Sequence, residues 1–140
     1  DYSHTPDSLE NILRAVRGFC TGRIIAVFGC GGDRDPFKRP VMGKIAAELS
    51  DLAIVTSDNP RTEDPYKILR QILAGMQDTE TPYEVIESRV SAIGRAMELA
   101  QKDDVIVLCG KGHETYQEVG HEKHHLDERE VVASYLEANA

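Results

Sequence analysis

The regular alternation of strand-like runs with segments of helical periodicity constrains this fold most. Four runs fit strands, at Arg23 to Phe28, Leu52 to Thr56, Tyr83 to Ile86 and Val105 to Cys109. Helix-length segments separate these runs, and parallel strands need crossovers of about that length. We therefore predict a Rossmann-like α/β fold, in which a mostly parallel sheet is flanked by helices.

The segments between the strands carry apolar residues at helical spacing, and most begin at a residue favoured at helix N-termini. The predicted helices run from Pro6 to Phe19, from Pro40 through Leu49, from Pro65 to Met76, from the N-cap Ser88 to about Ala100, and from the N-cap Asp127 through Leu136. Before the last helix, Tyr116 to Val119, Gly120 and Glu122 to Leu126 predict an antiparallel hairpin at the C-terminal edge of the sheet. At 140 residues the chain is expected to form one domain, residues 1–140.

Charge and cysteine content exclude several classes of protein. The net charge of −8, from 16 basic and 24 acidic side chains, argues against a nucleic-acid surface. The longest apolar runs are about five residues, far short of a membrane span. Cys20, Cys30 and Cys109 show no metal-site or disulfide spacing, so we expect reduced thiols in a cytoplasmic protein.

Two charged loops follow directly on predicted strands. Asp58-Asn59-Pro60-Arg61 comes after the second strand, and Gly110-Lys111-Gly112-His113-Glu114 comes after the fourth. Ligands of open α/β sheets bind outside the carboxyl ends of the strands, so the two loops are expected to form one site. A guanidinium pairs with a carboxylate and a glutamate accepts from an ammonium, which predicts a zwitterionic ligand.

The loop after the first strand contains Gly29-Cys30-Gly31-Gly32. It does not fit a dinucleotide-binding fingerprint, because Arg34 stands where the third glycine belongs. The glycines instead predict a sharp bend or a close backbone approach. Arg34 is placed at the carboxyl edge of the sheet, and a local salt bridge to Asp33 or Asp35 is the alternative interpretation.

A formal zinc motif lies near the C-terminus. The run from His121 to His125 matches H-E-x-x-H, but that motif binds zinc only where both histidines lie on one helical face. Here a hairpin is predicted, so we expect no metal site in this chain.

Several segments together resemble a known family. They are Asp1-Tyr2-Ser3-His4-Thr5-Pro6-Asp7, Val27 to Asp35, Lys38-Arg39-Pro40, Thr56 to Arg61, and Gly110 to Gln117. In this order they closely resemble the C-terminal domain of a Mur ligase, and the resemblance covers essentially the whole chain. Because the chain begins within the first of these segments, we expect a domain excised from a longer, three-domain ligase.

The resemblance implies a set of site residues. The amino-acid pocket would comprise Arg34, Asn59, Arg61, Gly110 and Glu114, with Asp58 in its loop. Asp1 resembles the aspartate that holds the ATP ribose, and His4 lies in the same nucleotide-facing segment. No catalytic residue is expected in this domain, and the isolated domain is expected to be inactive.

The resemblance also implies an activity, an ATP-dependent acid–amino-acid ligase of peptidoglycan biosynthesis. The whole enzyme would add meso-diaminopimelate to UDP-N-acetylmuramoyl-L-alanyl-D-glutamate, and the lysine-adding relatives differ at the arginine of the Asp58 to Arg61 loop. ATP and Mg²⁺ would be bound mainly by a central domain whose phosphate loop is not found here. Two alternatives stay open: a related ligase, such as a folylpolyglutamate or cyanophycin synthetase, and a non-catalytic α/β binding module.

Overall fold

The computed structural model describes residues 5–139. Its main sheet contains Ile24–Phe28 (β1), Leu52–Val55 (β2), Tyr83–Val85 (β3) and Val105–Leu108 (β4), in the order β3-β2-β1-β4. All three neighbouring pairs are parallel. The parallel α/β sheet expected from the alternating pattern is therefore confirmed.

Within the described part of the chain, five helices connect and cover the strands. They are Pro6–Arg17 (α1), Lys38–Leu49 (α2), Pro65–Ala74 (α3), Arg89–Leu99 (α4) and Glu128–Ala138 (α5). Four of them have a side-chain cap, in which Thr5, Asp64, Ser88 and Asp127 each accept a hydrogen bond from a first-turn backbone N–H. These caps explain why the sequence signals locate the helix starts within a turn.

Helix α2 begins before its predicted first residue. It starts at Lys38, ahead of Pro40, and its N-cap Phe37 makes no side-chain capping bond. Proline is tolerated throughout a first turn, because the N–H groups there have no intrahelical partner. The extra residues bring Lys38 and Arg39 onto the helix beside the carboxyl end of the sheet.

The core consists of two apolar layers, one on each face of the sheet. Alternate residues of β1 point to opposite faces, as a strand requires. Ile24 and Phe28 pack in the layer beneath α1, α2 and α3, whereas Ile25 and Val27 pack in the layer beneath α4. All residues of β1 are fully buried, and each large apolar side chain contributes roughly 1.5–3 kcal/mol by leaving water.

The predicted hairpin is confirmed as an antiparallel pair, Tyr116–Val119 (β5) and Glu122–His125 (β6), and it forms a sheet of its own. It is joined to the loop after β2 through Arg61. The Arg61 N–H donates to the Glu118 carbonyl at 3.0 Å, and the Gly120 N–H donates to the Arg61 carbonyl at 2.6 Å. The hairpin therefore braces the charged loop at the carboxyl end of the sheet. Within residues 5–139, no helix has the length and apolar character needed to cross a bilayer.

Candidate functional site

A cleft of about 430 Å³ opens at the carboxyl end of the parallel sheet. The loops after β1, β2 and β4 and the first turn of α2 line it. Its charged lining includes Arg34, Lys38, Arg39, Asp58, Arg61 and Glu114. The chain places β2 and β3 on one side of β1 and then crosses over to place β4 on its other side. Open α/β sheets bind ligands at such switch points.

The predicted pocket residues divide into three groups. Arg34, Asp58, Arg61 and Glu114 line the cleft together. Asn59 is buried beneath it at 2 % exposure, and Gly110, also buried, has the positive φ of 110° that lets the chain turn after β4. Asp1 and His4 lie outside the described residues, so their nucleotide role stays a prediction.

Arg61 is held in one orientation from several sides. Its backbone is left-handed, with φ of 51°, a conformation that costs a non-glycine residue about 1–3 kcal/mol and needs support from its surroundings. The guanidinium donates from Nε to Glu118 Oε2 at 3.1 Å and from Nη1 to the Gly32 carbonyl at 3.0 Å. Among the hydrogen bonds of the described residues, none uses Arg61 Nη2, which leaves that nitrogen for a ligand.

Arg34 is an exposed residue of the cleft lining. It donates to the backbone carbonyl of Asp33 at 3.0 Å. None of the salt bridges among the described residues involves Arg34, so the local pairing with Asp33 or Asp35 is wrong. Arg34 and Arg61 thus line one cleft, together with the buried Arg39.

Lys111 lies fully buried under the cleft, and the sequence analysis did not single it out. Its ammonium donates to Asn59 Oδ1 at 2.9 Å and to the Tyr116 carbonyl at 3.0 Å. It also forms ion pairs with Asp58 Oδ1 at 3.3 Å and Glu114 Oε1 at 3.5 Å. One signal could have indicated it, since a lysine between two glycines directly follows a buried strand.

The Asp58–Arg61 loop is tied to its neighbours by hydrogen bonds to its backbone and amide groups. Gln117 donates to the Asp58 carbonyl at 2.7 Å. Asn59 donates from Nδ2 to Glu114 at 3.4 Å and accepts on Oδ1 from the Glu118 N–H at 3.0 Å. The two charged loops predicted to form one site are thus directly connected.

The glycine-rich loop after β1 packs against the Asp58–Arg61 loop. The Gly32 N–H donates to the Asn59 carbonyl at 2.7 Å, and a Cβ on Gly32 would collide with the Pro60 carbonyl oxygen. A Cβ on Gly29 would likewise collide with the Thr56 carbonyl oxygen. The predicted close backbone approach is confirmed, and the approaching group is the neighbouring loop.

Arg39 is a second buried cation that the sequence did not indicate. It donates to both carboxylate oxygens of Glu63, at 2.7 and 3.0 Å, and to the carbonyl of Gly31 at 2.9 Å. The hydrogen bond from Arg39 is the main reason that the pKa of Glu63 falls from 4.5 to about 2. The pair joins α2 to the loops after β1 and β2 at the wall of the cleft.

Arg89 links the carboxyl ends of β2 and β4. Its fully buried guanidinium donates to the backbone carbonyls of Ser57 at 3.1 Å and Cys109 at 2.9 Å. Its charge is balanced by Glu128 at 2.8 Å. Because Ser57 and Cys109 lead into the two charged loops, Arg89 sets the separation at which those loops begin.

Neither the histidine motif nor the two buried cysteines form a reactive site within residues 5–139. No three potential metal ligands come together within residues 5–139. The histidine motif lies on the hairpin, where Glu122–His125 is an exposed strand and not the helix that zinc binding would need. Burial raises the pKa of the Cys30 and Cys109 thiols to about 12, so neither is a nucleophile at neutral pH.

Fold and site together define an α/β domain with a cleft of mixed charge at the carboxyl ends of its parallel strands. A family model described as "Mur ligase, glutamate ligase domain" matches residues 1–112. The chain belongs to the Mur ligase family.

Individual relatives agree with this family. The UDP-N-acetylmuramoyl-L-alanyl-D-glutamate–2,6-diaminopimelate ligase of Trichormus variabilis is 65% identical over 97% of the chain, which spans 27% of that enzyme. A solved structure of a ligase with the same name superimposes with a TM-score of 0.95, at 42% identity, over 99% of the chain and 28% of that protein. The chain thus spans little more than a quarter of the length of these two ligases.

A more distant solved structure shares the fold alone. It is the bifunctional folylpolyglutamate synthase/dihydrofolate synthase of Yersinia pestis, with a TM-score of 0.59 and 20% identity over 79% of this chain and 24% of that one. That protein was solved with AMPPNP and a manganese ion.

Proposed function

We propose that the chain is the amino-acid-binding domain of an ATP-dependent ligase that adds meso-diaminopimelate to UDP-N-acetylmuramoyl-L-alanyl-D-glutamate. The observation that carries this proposal is that Arg61 and Glu114, from loops after different strands, line one cleft. Opposite charges on one small cleft suit a ligand that carries both carboxylate and ammonium groups. The name shared by the similar full-length ligases supports the choice of substrate.

The two arginines would bind carboxylates of diaminopimelate. Arg61 has Nη2 directed to no described hydrogen-bond partner, while Glu118 and Gly32 hold the rest of its guanidinium. Arg34, exposed at the cleft mouth, would take a second carboxylate. Glu114 and the Gly110 carbonyl would accept from the ammonium at the far end of the same molecule.

In this proposal the chain presents the nucleophile of an amide-forming reaction. ATP supplies the phosphoryl group that activates the γ-carboxylate of the D-glutamate, and the remainder of the ligase would hold most of the nucleotide and Mg²⁺. The cleft residues bind the incoming amino acid so that its free amine is oriented for attack. Apposition of this domain to the rest of the enzyme would exclude water from the activated acyl group. The three-domain organisation and the cytoplasmic location remain predictions.

Selectivity against lysine follows from the same contacts. Lysine lacks the second carboxylate, so the guanidinium nitrogen that would bind it, such as Arg61 Nη2, would be desolvated without a ligand acceptor. Sites that are built around such a polar partner reject analogues lacking it by roughly 10⁴-fold or more. A ligase containing this chain should therefore use meso-diaminopimelate and reject lysine.

The direct test is a substrate screen on a full-length ligase that contains this chain. ATP-dependent ligation would be measured with the UDP-dipeptide and either meso-diaminopimelate, lysine or glutamate as amine acceptor. A kcat/KM for meso-diaminopimelate at least about 10⁴-fold above that for lysine is the expected result. Preference for another acceptor would favour a related ligase instead.

A non-catalytic binding module is distinguished by calorimetry on the 140-residue chain alone. A domain that supplies half of an active site should bind meso-diaminopimelate and ATP weakly. Tight binding of either ligand by the isolated chain would favour the module.

A further inference from the structure

We infer that Lys111 is a positioning residue for amino-acid binding, whose buried ammonium fixes Asn59, Asp58 and Glu114 relative to one another beneath the cleft. This inference rests on the proposed function for its substrate, but its structural part can be tested without that substrate. Lys111 does not line the cleft and is fully buried, so it acts through the groups that do.

The contacts of Lys111 join three separate segments. Asp58 and Asn59 follow β2, Glu114 follows β4, and Tyr116 begins the hairpin. Two of the three ammonium protons go to Asn59 Oδ1 and the Tyr116 carbonyl, at 2.9 and 3.0 Å. The ion pairs with Asp58 and Glu114, at 3.3 and 3.5 Å, place both carboxylates around the same nitrogen.

The Lys111 ammonium compensates the charges of two largely buried carboxylates. The side chain of Asp58 is only 5 % exposed and that of Glu114 only 13 %. Within residues 5–139, no donor hydrogen-bonds to the buried Asp58 Oδ1, and its ion pair is with Lys111. Two carboxylates this close would repel each other without a shared cation, because the interior screens charge weakly.

The same contacts set the orientation of Asn59. Its Oδ1 is taken by Lys111 and by the Glu118 N–H, which directs Nδ2 toward Glu114 Oε1 at 3.4 Å. Glu114 lines the cleft, and Asn59 supports it from beneath. The ammonium therefore determines which directions these two side chains present to a ligand.

A purely structural role is the competing explanation. In that case Lys111 would only neutralise the buried charge of Asp58, and removing both charges together would restore the site. The double variant Asp58→Asn with Lys111→Met distinguishes the two roles, because it removes the charge imbalance and still leaves Asn59 and Glu114 without the ammonium.

The kinetic test uses a full-length ligase that contains this chain, with Lys102→Met as a control at an exposed lysine. Lys111→Met should raise KM for meso-diaminopimelate at least 10-fold and leave KM for ATP and for the UDP-dipeptide within twofold. The double variant should keep a KM at least fivefold above that of Asp58→Asn alone. Recovery of the Asp58→Asn value in the double variant would overturn the inference.

A substrate-free measurement covers the case in which the variants fail to fold or the ligase uses another amine acceptor. In ¹⁵N-labelled wild-type chain, the Lys111 ammonium protons should exchange slowly with water and show cross-relaxation to Asn59, whereas those of Lys102 should exchange fast. Fast exchange at Lys111 would overturn the inference. A ligase that rejects meso-diaminopimelate but shows the slow Lys111 signals would instead contradict only the proposed substrate.

Discussion

Arg61 Nε lies 3.1 Å from Glu118 Oε2, and the backbones of the same two residues are hydrogen-bonded at 3.0 Å. The arginine belongs to the loop after β2 and the glutamate to the hairpin. The backbone and the side chain of Glu118 thus hold Arg61 in its left-handed backbone conformation. A guanidinium that is held in place in this way binds a carboxylate more tightly, because less side-chain entropy is lost on binding.

We expect Arg61→Ala to lower kcat/KM for meso-diaminopimelate by about 30-fold or more in a full-length ligase. Loss of one partner of a desolvated, hydrogen-bonded charge pair costs about 2–5 kcal/mol. Steady-state kinetics with varied amino acid is the measurement. Arg95→Ala removes a surface arginine paired with Glu84 and Glu98 and serves as the control. An unchanged kcat/KM in Arg61→Ala would remove this residue from the pocket.

Glu118→Gln should raise KM for the amino acid by about three- to tenfold without changing kcat. The ion pair with Arg61 Nε becomes a hydrogen bond from the charged guanidinium to a neutral amide oxygen, which is weaker by about 1 kcal/mol. The control is Glu122→Gln, an exposed position on the second strand of the same hairpin. Equal KM values for the two variants would show that Glu118 does not orient Arg61.

Gly32→Ala should destabilise the domain by about 1–3 kcal/mol, because its Cβ would collide with the Pro60 carbonyl and force the two loops apart. Urea unfolding followed by circular dichroism measures the change. Gly94→Ala is the matched control, since a Cβ there meets nothing closer than 3.9 Å. In that helical position alanine should stabilise by about 0.5–1 kcal/mol. Equal stabilities of the two variants would contradict the packing described for Gly32.

Glu63→Gln should destabilise the domain at neutral pH and much less in acid. The pKa of Glu63 falls from 4.5 to about 2, chiefly through its hydrogen bond from Arg39. A lowered pKa stabilises the fold above pH 4.5, and this contribution is lost as the pH falls toward 2. With screening at this partly exposed carboxylate, it amounts to about 1–2 kcal/mol.

Urea unfolding at pH 7 and at pH 3 measures this contribution. The difference between wild type and Glu63→Gln should shrink at the lower pH. Glu98→Gln, an exposed partner of Arg95, provides the control and should change stability little at either pH. A difference that is the same at both pH values would exclude the Arg39 pairing as its cause.

The pKa of His125 should be raised above 6.5, principally by its hydrogen bond to Glu130 at 2.7 Å. A raised histidine pKa stabilises the fold below about 6.5, and the contribution is lost as the pH rises through the folded-state value. An NMR titration of the His125 ring should show the raised value, and Glu130→Gln should lower it. Glu137→Gln, on the same helix, should leave the titration unchanged. A titration unaffected by Glu130→Gln would contradict the pairing.

Much of the site was predictable because its residues occur in short charged loops directly after apolar strands. Asp58, Arg61 and Glu114 could be assigned to one sheet edge on that basis alone. Glu118 could not, since a glutamate within a polar hairpin carries no signal of its own. Only the pairing of the hairpin with Arg61 reveals it.

By itself, the sequence determined the order of strands and helices along the chain, the starts of the four capped helices and the loops that meet at the cleft. These depend on local periodicity, capping chemistry and chain direction, which are properties of neighbouring residues. The tertiary structure alone decided that Lys111, Arg39 and Arg89 are buried under those loops. Lysine and arginine are ordinarily exposed, and what allows their burial here is a set of oxygen partners distant in the chain, such as Asn59 for Lys111.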